Sequence, residues 1–350
     1  MIQNIVAPVQ FKTVKDIYLN ISHFLDHFIM LIFAKSAYDA GRNFGMNYDE
    51  IIMYGVGGFV LFGGVAPLAA SLADKFSRSL LLVIYHFGIG FAAILAGFSQ
   101  NVWQLAAAIG LIGIFASIYH PVGIAMLIKS NRRIGFRLGI NGVFGNMGVA
   151  AAPLIAGIIL TWGDWRMCFI IPGIFCLFYG IAFIASLQEE KQQSATTHKV
   201  RHSGFSPNWK LALGAVFLST ASGGFVFSAM TFVVPRYFEI SMLNLSSSVA
   251  ITGLLASLVY GCASFTQIAV GWIIDRIEPK WVLFSIGVGQ IFFIYLTSQF
   301  TDLTLFFAML IAMSFVFGQI PITDTILSRY VPDELRAKAL SLKFMLNLVV

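Results

Sequence analysis

Apolar and polar positions do not alternate along this chain; they come in blocks. Runs of about 20 apolar residues, the length a helix needs to cross a hydrocarbon core of roughly 30 Å, recur from end to end between short charged turns. The blocks predict helices at 17–38, 51–73, 80–98, 103–128, 136–161 and 165–187. They resume at 210–235, 248–274, 281–299 and 302–327, and an eleventh begins at 336. The longest polar stretch, 188–209, reads as a cytoplasmic linker between an N-terminal bundle (1–187) and a C-terminal bundle (210–350).

Composition sharpens this into a membrane protein. The chain is 58% hydrophobic and 11% charged with a mean hydropathy of +0.83, whereas a soluble domain carries about 25% charged residues. Continuous apolar runs exclude a β-barrel, whose strands alternate. The net charge of +6 follows the positive-inside rule. With the N-terminus cytoplasmic, the basic residues from Lys12 and Lys15 to Lys338 and Lys343 fall inside, Arg42, Arg166 and Arg236 fall outside, and Lys35 lies within the first helix. The charge thus reports topology, and no nucleic-acid partner is implied. No small-residue cleavage site follows the first helix, so it reads as retained. Cys168, Cys176 and Cys262 lie in apolar stretches without metal-type spacing and read as small core residues.

One short turn occurs twice. Ala70-Ser71-Leu72-Ala73-Asp74-Lys75-Phe76-Ser77-Arg78-Ser79 joins the second and third helices, and Gly271-Trp272-Ile273-Ile274-Asp275-Arg276-Ile277-Glu278-Pro279-Lys280 joins the eighth and ninth. The two aspartates are 201 residues apart, as in a duplicated unit of six helices. A fixed carboxylate with adjacent cations can pair across neighbouring helix ends and favour one state of a gate.

These turns resemble the loop signature of the major facilitator superfamily, Gly-x-Leu-Ala-Asp-Arg-x-Gly-Arg-Lys. The first copy has alanine and serine for the two glycines; the second has Glu278 at the second glycine. The resemblance implies an all-α polytopic fold of two pseudo-symmetric six-helix bundles, here with about ten full helices and part of an eleventh. It also implies gating roles for Asp74, Lys75, Arg78, Asp275 and Arg276, with Asp74 near the start of the eleventh helix and Asp275 near the start of the fifth. In the fifth helix, Gly139, Gly148, Pro153 and Gly157 are similar to the pattern of proton-coupled exporters in this superfamily. Tyr119-His120-Pro121, Arg132-Arg133 and Gly145-Asn146 leading to Pro153 resemble its fosmidomycin-resistance branch. Many drug exporters of the family carry an arginine in the fourth helix; aligning Leu105 and Gly113 puts Ile109 there, so a proton-coupling group must lie elsewhere.

Ionisable groups inside a membrane helix are costly unless they meet a partner or a wet cavity. On the first helix, Asn20, Ser22, His23, Asp26 and His27 share an arc roughly 160° wide at 100° per residue. Family architecture sets helices one, four, seven and ten around a central cavity, which brings His120 toward them. Asp26 is the candidate carboxylate of proton coupling, with His23, His27 and His120 as relay or substrate contacts. Asn141, Asn146, Thr220, Ser222, Gln319, Thr323 and Asp324 are further lining candidates, Asp324 being acidic on a cavity helix. Lys35 reads as snorkelling outward and His86 as packing.

His23-x-x-x-His27 has metal-pair spacing but lacks a zinc protease's glutamate, and the membrane histidines are too few for di-iron boxes. No metal site is therefore expected. No phosphate-binding glycine loop appears, so the proton gradient, with no cofactor, is the expected energy source.

The sequence thus predicts a non-enzymatic, monomeric secondary transporter in a bacterial inner (plasma) membrane. Its partners would be the bilayer and a small organic solute, exported against proton entry. A proton-driven importer of a carboxylate or similar metabolite is the alternative within that class. A non-transporting scaffold is the alternative outside it, because the sequence given stops at Val350, about 15 residues into the eleventh helix.

Overall fold

The computed structural model describes residues 14–128, 134–193, 208–242 and 249–349. Described residues outside helices form only short turns. Lipid offers no partner for backbone N–H and C=O groups, so apolar runs of this length close their hydrogen bonds within helices.

The first predicted span is α1 (Val14–Phe44), which outruns its predicted range at both ends. The second is broken into α2 (Tyr48–Ile52), a 3-10 turn at Met53–Gly55, α3 (Val56–Gly64) and α4 (Ala66–Lys75), with a 40° bend at Val65. The third is α5 (Arg78–Gly97), the fourth is split into α6 (Val102–Ala116) and α7 (Tyr119–Ile128), and the fifth is α8 (Ile134–Ile159). The sixth, α9 (Trp165–Gln193), continues into the stretch expected to be linker; 194–207, like Arg132 and Arg133, lie outside the described residues. In the second half, α10 (Trp209–Ser241) is followed by a split eighth span, α11 (Val249–Ser264) and α12 (Thr266–Ile274). Then come α13 (Pro279–Thr297), a split tenth span, α14 (Asp302–Gly318) and α15 (Ile320–Tyr330), and α16 (Asp333–Val349).

The splits are where the continuous apolar pattern misled the reading. They repeat along the chain: Val65 and Phe265 are 200 residues apart, and Pro121 and Pro321, just beyond the other two splits, are also 200 apart. Each proline lacks an N–H and crowds the carbonyl four residues back, which interrupts the helical ladder there. Pro67 does the same beside Val65, while the break at Phe265 has no proline.

The first half has one continuous core in which Trp165, Tyr85, Phe169 and Ile32 are fully buried, and which takes in Leu327 of α15 and Leu340 and Phe344 of α16. The second half has two smaller clusters, one around Phe238 and Met313 and one around Ile274 and Ile322. Large apolar residues such as Phe178, Leu218 and Ile291 are exposed on the periphery, the composition that lipid selects.

The halves meet most tightly along α8 and α12. A Cβ on Gly271 would strike the carbonyl oxygen of Gly135, and one on Gly139 would strike that of Gln267. Only glycine lets the two backbones come this close. The α16 helix completes the contact between halves by packing on α4 and α7.

Candidate functional site

A cavity of about 400 Å³ lies between the halves. The α1, α3, α7 and α8 helices wall one side, and α10, α12, α15 and α16 the other. His23, His27, His120, Asn141, Asn146, Thr220, Gln319, Thr323 and Asp324 all reach it. Ser222 does not; its hydroxyl returns to the Leu218 carbonyl of its own helix (3.0 Å).

The wide polar arc of α1 divides among three surroundings. Ser22 turns toward α5, with its Oγ 2.8 Å from His86 Nε2, so His86 packs against the first helix. His23 and His27, one helical turn apart, face the cavity. Asp26 lies behind them, fully buried and outside the cavity lining. A 160° arc is too wide for one neighbour to cover, which is why it splits.

The His23 Nδ1–H donates to the Asn141 carbonyl (2.8 Å). The Asn141 side chain is itself held, donating to Asn20 Oδ1 and to the Tyr119 hydroxyl, each at 2.9 Å. With its hydrogen on Nδ1, neutral His23 presents a lone pair on Nε2, and His27 Nε2 lies 3.2 Å from it. The His120 ring, delivered by α7 just past the helix break, stands edge-on to both at 5.1 and 5.3 Å between centroids. It stacks on Phe344 of α16 at 3.9 Å. Its Nε2 is 3.4 Å from Asp26 Oδ2. Neither Asp26 oxygen has a hydrogen-bond partner among the described residues.

Across the cavity, Asp324 is paired with Lys343 at 2.5 Å. Lys343, which charge counting treated only as a cytoplasmic cation, is part of the cavity wall. Sequence reasoning also missed Gln267, a fully buried amide on the lining with neither polar atom hydrogen-bonded among the described residues. Asn146 Nδ2 and Thr220 Oγ1 are likewise buried without partners among the described residues. Gln319 is satisfied, donating to Ser219 and accepting from Gln290 Nε2 (2.7 Å). The polar break in the apolar run at Thr266-Gln267 was the available signal for Gln267.

The aspartate turns make unlike contacts. Asp275 accepts from the backbone N–H groups of Gly135 (2.9 Å) and Phe136 (3.0 Å) at the start of α8, where a helix dipole favours an anion. Asp74 pairs with Lys338 of α16 at 2.9 Å. Arg276 lies over the Trp272 ring at 3.7 Å, and Lys75 is exposed; Arg78 begins α5. Of the fifth-helix positions, Gly139 and Gly148 are pressed against backbone of α12 and α1 respectively. Gly157 faces only the Lys35 stem at 3.8 Å, and Pro153 lies within α8.

Two halves of broken apolar helices surround one central polar cavity, the arrangement of a secondary-transporter fold. The family model of the Major Facilitator Superfamily matches residues 19–349, and the chain belongs to that superfamily. Multidrug resistance protein MdtG of Escherichia coli (strain K12 / DH10B) is 27% identical over 232 residues, covering 64% of this chain and 56% of that protein. The match therefore spans little more than half the length of that relative. Among solved structures, the proton:xylose symporter XylE superposes with a TM-score of 0.74 at 12% identity, over 96% of this chain and 85% of that one. The human organic anion transporter MFSD10 gives 0.70 at 14% identity, over 98% and 91%. At these identities the structural likeness is one of fold.

Proposed function

We propose that this protein exports a small organic solute by alternating access, driven by proton entry. The observation that carries the reading is Asp26, a carboxylate buried within the membrane span, without a hydrogen-bond partner among the described residues and one imidazole layer from the cavity. A lone charge there is expensive unless a proton or cation joins it, so its charge state is coupled to the contents of the cavity. Among the described residues the Gln267 amide and Asn146 Nδ2 have no hydrogen-bond partner, and they offer donors and an acceptor to a solute. Export is supported by the similarity to a multidrug resistance protein and by the Gly139–Gly157 pattern. A carboxylate importer is less favoured, because the Lys343 ammonium on the cavity wall is already held by Asp324. The tightly packed end would be cytoplasmic, the cavity opening outward. The bilayer would be the inner membrane, with the chain acting as a monomer.

Proteoliposomes test this. An imposed proton gradient should drive candidate drugs uphill with the unmodified chain, and Asp26→Asn should lose gradient-driven movement while retaining solute exchange. Unchanged proton-driven flux in Asp26→Asn would remove the coupling assignment; absence of any flux would favour the scaffold alternative.

A further inference from the structure

The histidine wall has the donor geometry of a transition-metal site. His23, His27 and His120 each offer a ring nitrogen, and these three atoms lie within 4.8 Å of one another. His23 Nε2 and His27 Nε2 are 3.2 Å apart. Two nitrogens at about 2.0–2.1 Å from one tetrahedral ion stand roughly 3.3–3.4 Å apart, so this pair is already at chelating distance. The third ring has to approach by no more than about 1.5 Å.

The surroundings favour a ligand role as well. A metal-binding imidazole characteristically donates its other N–H to a carbonyl or carboxylate, which fixes the tautomer that presents the lone pair. His23 does so to Asn141, whose side chain is anchored twice. A dication among neutral imidazoles in a low-dielectric wall also needs a negative charge nearby. Asp26 supplies a fully buried carboxylate with no hydrogen-bond partner among the described residues, 3.4 Å from His120 Nε2. Imidazole donors select zinc, nickel or cobalt over calcium or magnesium, which prefer oxygen.

We propose that His23, His27 and His120 bind a divalent transition-metal ion, with Asp26 as its charge partner and a coordination position left open toward the cavity. The solute class this implies is a transition-metal ion or a small molecule that coordinates one. That extension rests on the transporter reading above, whereas the site itself does not.

The probe is Co²⁺ added to the purified full chain in detergent. The expected result is one bound ion with the visible absorption of a low-coordinate, nitrogen-rich site, displaced by Zn²⁺. Affinity should fall at least tenfold in folded His27→Gln and His120→Gln, and by about 10–100-fold in Asp26→Asn, which removes an outer partner. On the unmodified chain, Zn²⁺ should protect His23, His27 and His120 together from carbethoxylation. That measurement decides the matter if the variants misfold. No cobalt spectrum, or binding that survives the histidine substitutions, or no joint protection, overturns the site. Proton-driven drug flux with no metal binding would remove the site and leave the proposed function standing. Metal binding with no transport of any solute would do the reverse.

Discussion

Asp26 and Asp324 are both buried carboxylates on opposite sides of one cavity, yet they are equipped for different work. Asp324 has Lys343 at 2.5 Å, so its charge is compensated within the protein. Among the described residues Asp26 has an imidazole nitrogen at 3.4 Å and no hydrogen bond. A compensated charge holds two helices together; an uncompensated one responds to whatever arrives. The same contrast recurs at the aspartate turns, where Asp275 holds two backbone donors of a helix start and Asp74 holds a half-exposed lysine.

The largest expected effect separates the first pair. Asp26→Asn should abolish gradient-driven accumulation in proteoliposomes, whereas Asp324→Asn, after correction for the amount of folded protein, should retain it. Equal losses would erase the distinction. Next in size is Gly139→Val, which drives a side chain into the Gln267 carbonyl. Overpacking of this kind costs about 1–3 kcal/mol, and if it falls on the closed end of the molecule, flux should drop about tenfold with Asp26 intact. Stability tests the compensated pair: removing one partner of a buried ion pair costs about 3–5 kcal/mol. Lys343→Met should therefore lower the thermal midpoint in detergent, and Asp324→Asn with Lys343→Met should recover most of it. The smallest effects are at the turns. Asp275→Asn should cost about 1.5–3 kcal/mol through its charge-assisted bonds, while Asp74→Asn, whose pair is half exposed, should cost less than about 1 kcal/mol.

Much of this was legible in the residues, and the exceptions have physical causes. Helix positions followed from apolar length, because lipid imposes it. The breaks did not, since hydropathy is blind to a bend, although Pro67, Pro121 and Pro321 marked three of the four. The gathering of His23, His27 and His120 could be anticipated from helix periodicity and family architecture. The separation of Asp26 from the cavity depends on how neighbours divide a wide arc, which one helix cannot reveal. The cavity role of Lys343 was missed because positive-inside reasoning reads a terminal lysine only as a topology marker, and its acidic partner lies 19 residues earlier on another helix. Their distances, and hence the chelating geometry, belong to the folded molecule alone.

The contact of Gly135 with Gly271 has a mechanical consequence. Where side chains interlock, parting two helices means repacking rotamers on both surfaces, each with its own barrier and entropy change. Bare backbone carries no such gears. Under the proposed alternating access, halves joined at this fulcrum would separate and rejoin there with little frictional resistance, leaving the pace of the cycle to the charges around the cavity.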